Sequence, residues 1–254
     1  MGMSLLQLPD DLEKRRQQWL WDDFFSYLDT FTWTKGSSGA GAVVIGSGPA
    51  TQLKLTSGTT ANGEAWVAST NKFWQFLANK PLITEARINA QEANTNNLSI
   101  FVGYSSAFAT GLVTAANPNA FLATTNSSVG FFLSAGSTNW SVVESIGTTQ
   151  QIIATAEAAV PASDQVLRVE VKPVGTNIEV DFLVGNADTT GGADSAFPVG
   201  FQMARETASG YLKPIKIRAA LASAVQMGVG VYIRGMSTTS ETLLLDYLGA
   251  LSLR

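Results

Sequence analysis

The stretch Val166-Leu167-Arg168-Val169-Glu170-Val171-Lys172, followed after residues 173–177 by Ile178-Glu179-Val180-Asp181-Phe182-Leu183-Val184, decides the fold class. Leu167, Val169 and Val171 alternate with Arg168, Glu170 and Lys172. A period of two puts the apolar set on one face of a strand, towards a core, and the charged set on the other, towards water. Ile178, Val180, Phe182 and Val184 repeat the pattern. Because the link holds Pro173, Gly175 and Asn177, the two segments are expected to form an antiparallel hairpin.

The same reading extends outward in both directions. Short apolar runs bounded by Gly, Asn, Ser and Pro predict strands over 24–33, 40–45, 51–56, 64–69, 82–90, 98–105, 120–124, 129–133, 140–145 and 150–156. Met227, Val229, Val231 and Ile233 alternate in another strand. The run 243–248 is apolar on both faces and reads as an inner strand. About a dozen short strands in one unit, residues 24–254, predict an all-β protein built as a two-sheet sandwich.

Two regions break the pattern. Residues 1–23 carry Pro9, then Asp10, Asp11 and Glu13, then Lys14, Arg15 and Arg16, an order suited to a short N-terminal helix or arm. Its Leu5, Leu6, Leu8, Leu12, Trp19 and Trp21 are dense apolar surface for a terminus and are expected to be assembly contacts with a neighbouring subunit. Between Gly185 and Arg218 the alternation fails, which predicts a loop excursion. Arg205, Lys213, Lys216 and Arg218 there form a cationic cluster that could meet an acidic partner surface.

Composition removes whole classes of function. The 254 residues include no His and no Cys, which excludes His-based triads, thiolate chemistry and disulfides and leaves little for a zinc site. No Lys or Arg lies between Arg87 and Arg168, so the middle of the chain offers no phosphate-tracking surface and no nucleic-acid partner is expected. No apolar run is long enough for a membrane-spanning helix, and no membrane partner is expected. Only 14% of the residues are charged, against about 25% in an ordinary soluble domain, and such a surface favours association with further copies.

Several segments together resemble a known family. Asp22-Asp23-Phe24 with Leu28-Asp29 and Trp33, Lys80-Pro81-Leu82 with Glu85-Ala86-Arg87, Phe101-Val102-Gly103-Tyr104, Val129-Gly130-Phe131 with Trp140, the hairpin 167–182 and the closing Leu245-Asp246-Tyr247-Leu248 resemble, in order and spacing, the concanavalin A-like jelly rolls over residues 22–254. One departure is the stretch 185–218, longer than the short turn expected there. More narrowly, the arrangement is similar to tailed-phage structural proteins of the cement or decoration type. That resemblance implies a homo-oligomer, a trimer, bound to the major capsid protein on the virion exterior and made in the host cytoplasm, without a cofactor.

The same fold hosts glycoside hydrolases with a strand-borne motif resembling E-x-D-x-x-E. Here Glu179 and Asp181 supply two acids, but Leu183, Val184 and Gly185 follow where the third must be, so the two read as the solvent face of a strand and no enzyme is expected. The alternative is a lectin-like, carbohydrate-binding virion module. Trp66, Trp74, Trp140 and Tyr104 would offer a stacking platform, although large aromatics in a sandwich are mostly core. Asp188 and Asp194 would offer calcium oxygens, although without the spacing of a calcium loop they read as turn formers and no metal is expected.

Overall fold

The computed structural model describes residues 17–24, 32–46, 52–72, 74–76, 80–91, 97–113, 126–146, 149–174, 177–186, 202–203, 205–208, 211–214, 216–220 and 225–253. The first third of the chain forms β1 (Gln17–Asp22), β2 (Trp33–Ser38), β3 (Ala42–Ile45), β4 (Leu53–Thr56), β5 (Glu64–Ser69) and β6 (Leu82–Ala90). Next come β7 (Leu98–Ser105), β8 (Ser128–Leu133), β9 (Asn139–Ile146), β10 (Thr149–Ala158), β11 (Asp164–Val174) and β12 (Asn177–Asn186). The chain ends with β13 (Gln202–Met203), β14 (Arg205–Ala208), β15 (Tyr211–Pro214), β16 (Lys216–Ala220), β17 (Gly228–Gly235) and β18 (Thr242–Leu253).

These strands make two large antiparallel sheets. The nine-stranded sheet runs β13-β12-β11-β6-β18-β4-β3, with β1 also beside β18 and β16 also beside β12. The seven-stranded sheet runs β10-β9-β8-β7-β17-β5-β2. The core lies between them. Leu167, Val169 and Val171 of β11 and Ile178, Val180 and Phe182 of β12 are buried there against Ile100, Val102 and Tyr104 of β7 and Val129 and Phe131 of β8. Phe131 meets Phe182 edge-on across the gap at 5.5 Å, and Trp140 donates its Nε1–H to Gln165 Oε1 at 3.2 Å. An indole N–H buried between sheets needs such a partner.

The β11–β12 hairpin forms as the alternation predicts, with Val169 opposite Phe182 and Val171 opposite Val180. The closing strand is an inner one, lying between β6 on one side and β4 and β1 on the other.

The N-terminal expectation needs correction. Residues 17–22 are not helical but form β1, paired antiparallel with β18 from Gln17 opposite Leu253 to Asp22 opposite Leu248. The sandwich therefore begins before Phe24. Leu20 packs on the core, and the Asp22 carboxylate accepts hydrogen bonds from Phe24 N at 2.7 Å and Trp33 Nε1 at 2.8 Å, tying β1 to β2. The physical cause is non-local: β18 offers a full row of backbone groups, and pairing with it outweighs the weak helical pattern. Leu5, Leu6, Leu8 and Leu12 lie outside the described residues, whereas the backbones of Trp19 and Trp21 stand opposite Leu251 and Gly249. The strand expected at 120–124 and Asp188 and Asp194 also lie outside them.

The excursion after Gly185 also differs from expectation, since β12 continues to Asn186 and β13, β14, β15 and β16 follow. Arg205 and Lys213 belong to the β14–β15 ribbon, while Lys216 and Arg218 of β16 stand opposite Asp181 and Glu179 of β12. The four cations are thus divided between two sheets.

Candidate functional site

The outward faces of the two sheets carry very different side chains. On the nine-stranded sheet Arg87 of β6 bonds both Asp164 of β11 and, at 3.1 Å, Asp246 of β18. Tyr247 donates its hydroxyl to Glu85 at 2.7 Å, Arg168 pairs with Glu170 at 2.6 Å, and Lys172 bridges Glu170 at 3.1 Å and Asp181 at 2.6 Å. This corrects the expectation that Asp181 lies on a solvent face: it is buried, on a strand flanked by β11 and β16, and bonded to Lys172. Burial raises the Glu85 carboxyl, opposed by the hydrogen bond from Tyr247. The hydrogen bond to Asp181 raises the Lys172 ammonium. Among the described residues, each of these acids is bonded to a neighbouring side chain.

On the seven-stranded sheet, register aligns outward positions into rows that cross the strands. One row is Thr34, Ala68, Gly230, Gly103, Gly130, Val143 and Ile152. Its central glycines lie on three neighbouring strands and leave a trough of bare backbone. A methyl group on Gly230 would come within 2.5 Å of the Val67 carbonyl oxygen and 2.8 Å of Phe108 Cζ, so nothing larger fits. The row on one side is aromatic, with Trp66, Tyr232, Phe101 and Phe132 in register. The row on the other side holds Gly228, Ser105, Ser128 and Ser145.

Residues 107–113 lie across this face. Leu112 and Val113 bury against Phe101, Phe132, Val143 and Tyr232 in a second apolar cluster, and Phe108 packs on Phe101 with ring centroids 6.0 Å apart. Beneath them Glu64 and Arg234 form a buried ion pair at 3.3 Å. Glu64 accepts the Gly111 N–H at 3.1 and 3.0 Å, and Arg234 donates to the Val113 carbonyl. Burial, with the Glu64 carboxylate beside it, pushes the Tyr232 phenol up.

Where this cover stops, a pocket of about 130 Å³ remains, lined by Thr34, Trp66, Ala68, Ser69, Thr70, Lys72, Ser105, Phe108 and Gly228. The Trp66 indole lies over Gly36 of β2, where a methyl would strike its ring at 2.1 Å, and stacks on Tyr232 at 6.4 Å. Thr34 donates to Thr70 at 3.0 Å at the rim, and Ser69 is held by Val229 N and the Asn71 carbonyl. The pocket thus joins two aromatic walls to hydroxyls and one ammonium. The pocket is open to solvent, and its volume is of the order of one small ring.

Of the residues expected to form a stacking platform, only Trp66 reaches this pocket. Trp74, Trp140 and Tyr104 are fully buried between the sheets. Trp74 and Tyr104 pack edge-on at 6.2 Å, and burial pushes the Tyr104 phenol well up. Thr34, Lys72 and Phe108 were not legible as site residues, since Thr34 reaches Trp66 only through strand pairing and Lys72 and Phe108 only through the path of the segments after β5 and β7. Among the described residues, no group of three or more Asp and Glu stands together in a way that could hold a metal ion.

No family model matches the sequence, and no curated protein sequence does so at a significant level. Solved structures do match in fold. A protein of unknown function from Shewanella oneidensis aligns at 10% identity, over 99% of this chain and 96% of its own, with a TM-score of 0.57. Peanut lectin aligns at 12% identity over 93% and 97% with a TM-score of 0.59, and an endo-1,3-beta-glucanase from Streptomyces sioyaensis at 11% over 94% and 97% with 0.57. At such identities the likeness shows the fold alone: this chain is an all-β, concanavalin A-like jelly-roll sandwich.

Proposed function

We propose that this protein is a lectin-like carbohydrate-binding module that takes one sugar ring in the pocket beside Trp66. The observation that carries this reading is the pocket itself. A sugar presents an apolar ring face and a polar rim, and here the Trp66 and Phe108 rings stand beside Thr34, Thr70 and Lys72 in a space of about one ring. The fold shared with a lectin supports it. Binding rather than cleavage is favoured because no Asp or Glu stands among the lining residues, whereas retaining or inverting hydrolysis needs two.

The test is a glycan array followed by calorimetric titration of the hits. Wild-type protein should bind at least one saccharide, and Trp66→Ala should weaken that binding at least about tenfold, the worth of one stacked ring, while its circular dichroism remains that of the folded sandwich although the Tyr232 stack is lost. Absence of any array hit would overturn the reading.

A second reading is a homo-oligomer, for which the sequence resemblance implies a capsid-binding trimer on the virion exterior; its association, though not its setting, is favoured by the charge-poor composition. It is also favoured by Val44 and Ile45, exposed at 47% and 37% on the edge strand β3. Light scattering giving a monomer mass at high concentration would count against it.

A further inference from the structure

Among the described residues, the glycine trough is the most unusual feature of the molecule, and its filling has a consequence for the ligand. A row of glycines across three adjacent strands costs sheet stability, because it forfeits side-chain packing and adds chain entropy. The space it leaves is taken from within. The Phe108 ring stands over Gly230, and the Phe101 ring, tilted against it, stands over Gly130, where a methyl would meet Phe101 Cε2 at 2.6 Å. The pocket beside Trp66 is the open end of that trough, and Phe108 is the wall that separates the two.

The covering segment is fastened rather than draped. Gly111 sits at φ +81 with its N–H on both Glu64 oxygens, the Val113 carbonyl takes a hydrogen bond from Arg234, and the Ala107 carbonyl takes one from Ser105 at 2.9 Å. A buried ion pair is a costly way to hold a loop, and it fixes one position closely.

We infer that residues 107–113 act as a strap that limits the site to a single terminal sugar ring, Phe108 closing the trough along which the next rings of a longer chain would lie. This rests on the carbohydrate-binding reading and sets its ligand class: chain ends rather than the interior of a polysaccharide.

The experiment titrates glucose, galactose and mannose, each with its linear homo-oligomers of up to about five units, into the intact chain. The same titrations are made into Phe108→Ala, which opens the wall, and into Gly111→Ala. The latter residue does not line the pocket, and its added methyl meets nothing within 4 Å but strains the turn that fastens the strap. Wild-type affinity should stay within about twofold from monomer to pentamer, while at least one variant should gain about tenfold with length, the equivalent of one more stacked ring. A wild-type affinity that already climbs with length, or a flat or absent response in both variants, overturns the inference. Failure of the wild-type protein to bind any saccharide, on this series or on the array, overturns the proposed function instead.

Discussion

On the nine-stranded sheet the outward positions hold Arg87, Arg168, Glu170, Lys172 and Asp181, bonded to one another and to Asp164 and Asp246. On the seven-stranded sheet the corresponding positions hold glycines, serines and aromatic rings beneath residues 107–113. Both faces obey the same period-two alternation. The difference lies in what completes them. Charged chains on a sheet can satisfy one another laterally and need no cover, whereas glycines and aromatic rings expose backbone and apolar area that must be covered by the chain or by a ligand. Among the described residues, the first arrangement satisfies its charges laterally, and the second ends in the pocket beside Trp66.

The sharpest way to break this comparison is at the anchor of the covered face. Arg234→Ala would leave the Glu64 carboxylate buried without its cation and the Val113 carbonyl without its donor. The expected loss is about 3–5 kcal/mol, the usual cost of stranding one partner of a buried pair. Glu64→Gln combined with Arg234→Met removes both charges and should lose markedly less. Urea denaturation of the three proteins decides it, and equal losses in both variants would mean that the pair is not the anchor.

What the sequence made legible follows from the same contrast. Strands 64–69, 82–90 and 98–105 were readable to the residue, because each carries its own apolar run and turn-forming flanks. Residues 17–22 were not, since the partner that makes them a strand lies at the other end of the chain. The site was nearly invisible. Val102-Gly103-Tyr104, Val129-Gly130-Phe131 and Val229-Gly230-Val231 each show one glycine in a strand, and only the pairing register turns three separate glycines into a trough. The aromatic content was visible but its destination was not. Trp66 and Trp74 are eight positions apart, yet one lines the pocket and the other is core.

The nine-stranded face should respond more mildly. Arg87→Ala leaves Asp164 and Asp246 close together without their shared cation, but their side chains keep 22% and 29% exposure, so water takes up part of the deficit. A loss of about 2 kcal/mol is expected at neutral pH. Burial already raises the Asp246 carboxyl, with Arg87 opposing it. Removing Arg87 raises it further, so the folded state holds its proton after the unfolded chain has released it, and the deficit grows as pH rises through the carboxylate range. A thermal melt at pH 4 and pH 8 checks this, the variant falling further behind the wild type at the higher pH.

The inner side of the seven-stranded sheet gives a smaller effect of definite sign. Glu144 stands opposite Val129 in the sheet, and burial raises its carboxyl to about 7 from an ordinary value of 4.5. Between those values the unfolded chain has lost this proton and the folded one keeps it, so this group's contribution to stability is highest below about 4.5 and falls as pH rises to about 7. Glu144→Gln should remove that slope and stabilise the protein by about 1 kcal/mol at pH 8, after allowance for partial contact with water. Chemical denaturation across the pH range checks it, and an unchanged slope in the variant would assign the dependence elsewhere.

The smallest effect belongs to Lys172, and its smallness is informative. Its ammonium bonds Glu170 and Asp181, yet the side chain keeps 48% exposure, so solvent and salt screen both contacts. Lys172→Met should cost about 0.5 kcal/mol or less, with less lost at high salt than at low salt. The hydrogen bond to Asp181 raises the Lys172 ammonium, so whatever stability the pair contributes is fully present below the ordinary lysine range and disappears only as pH climbs through it. At pH 7 the comparison with Arg234→Ala therefore sets a covered cation against an exposed one: each is bonded to a buried carboxylate on an outward face, Glu64 or Asp181, and of the two cations Lys172 is the one open to water. A loss of 2 kcal/mol or more in Lys172→Met, read from the same urea titration, would mean that the charged face is held by its ion pairs as tightly as the strapped one, and the contrast between the two faces would fail.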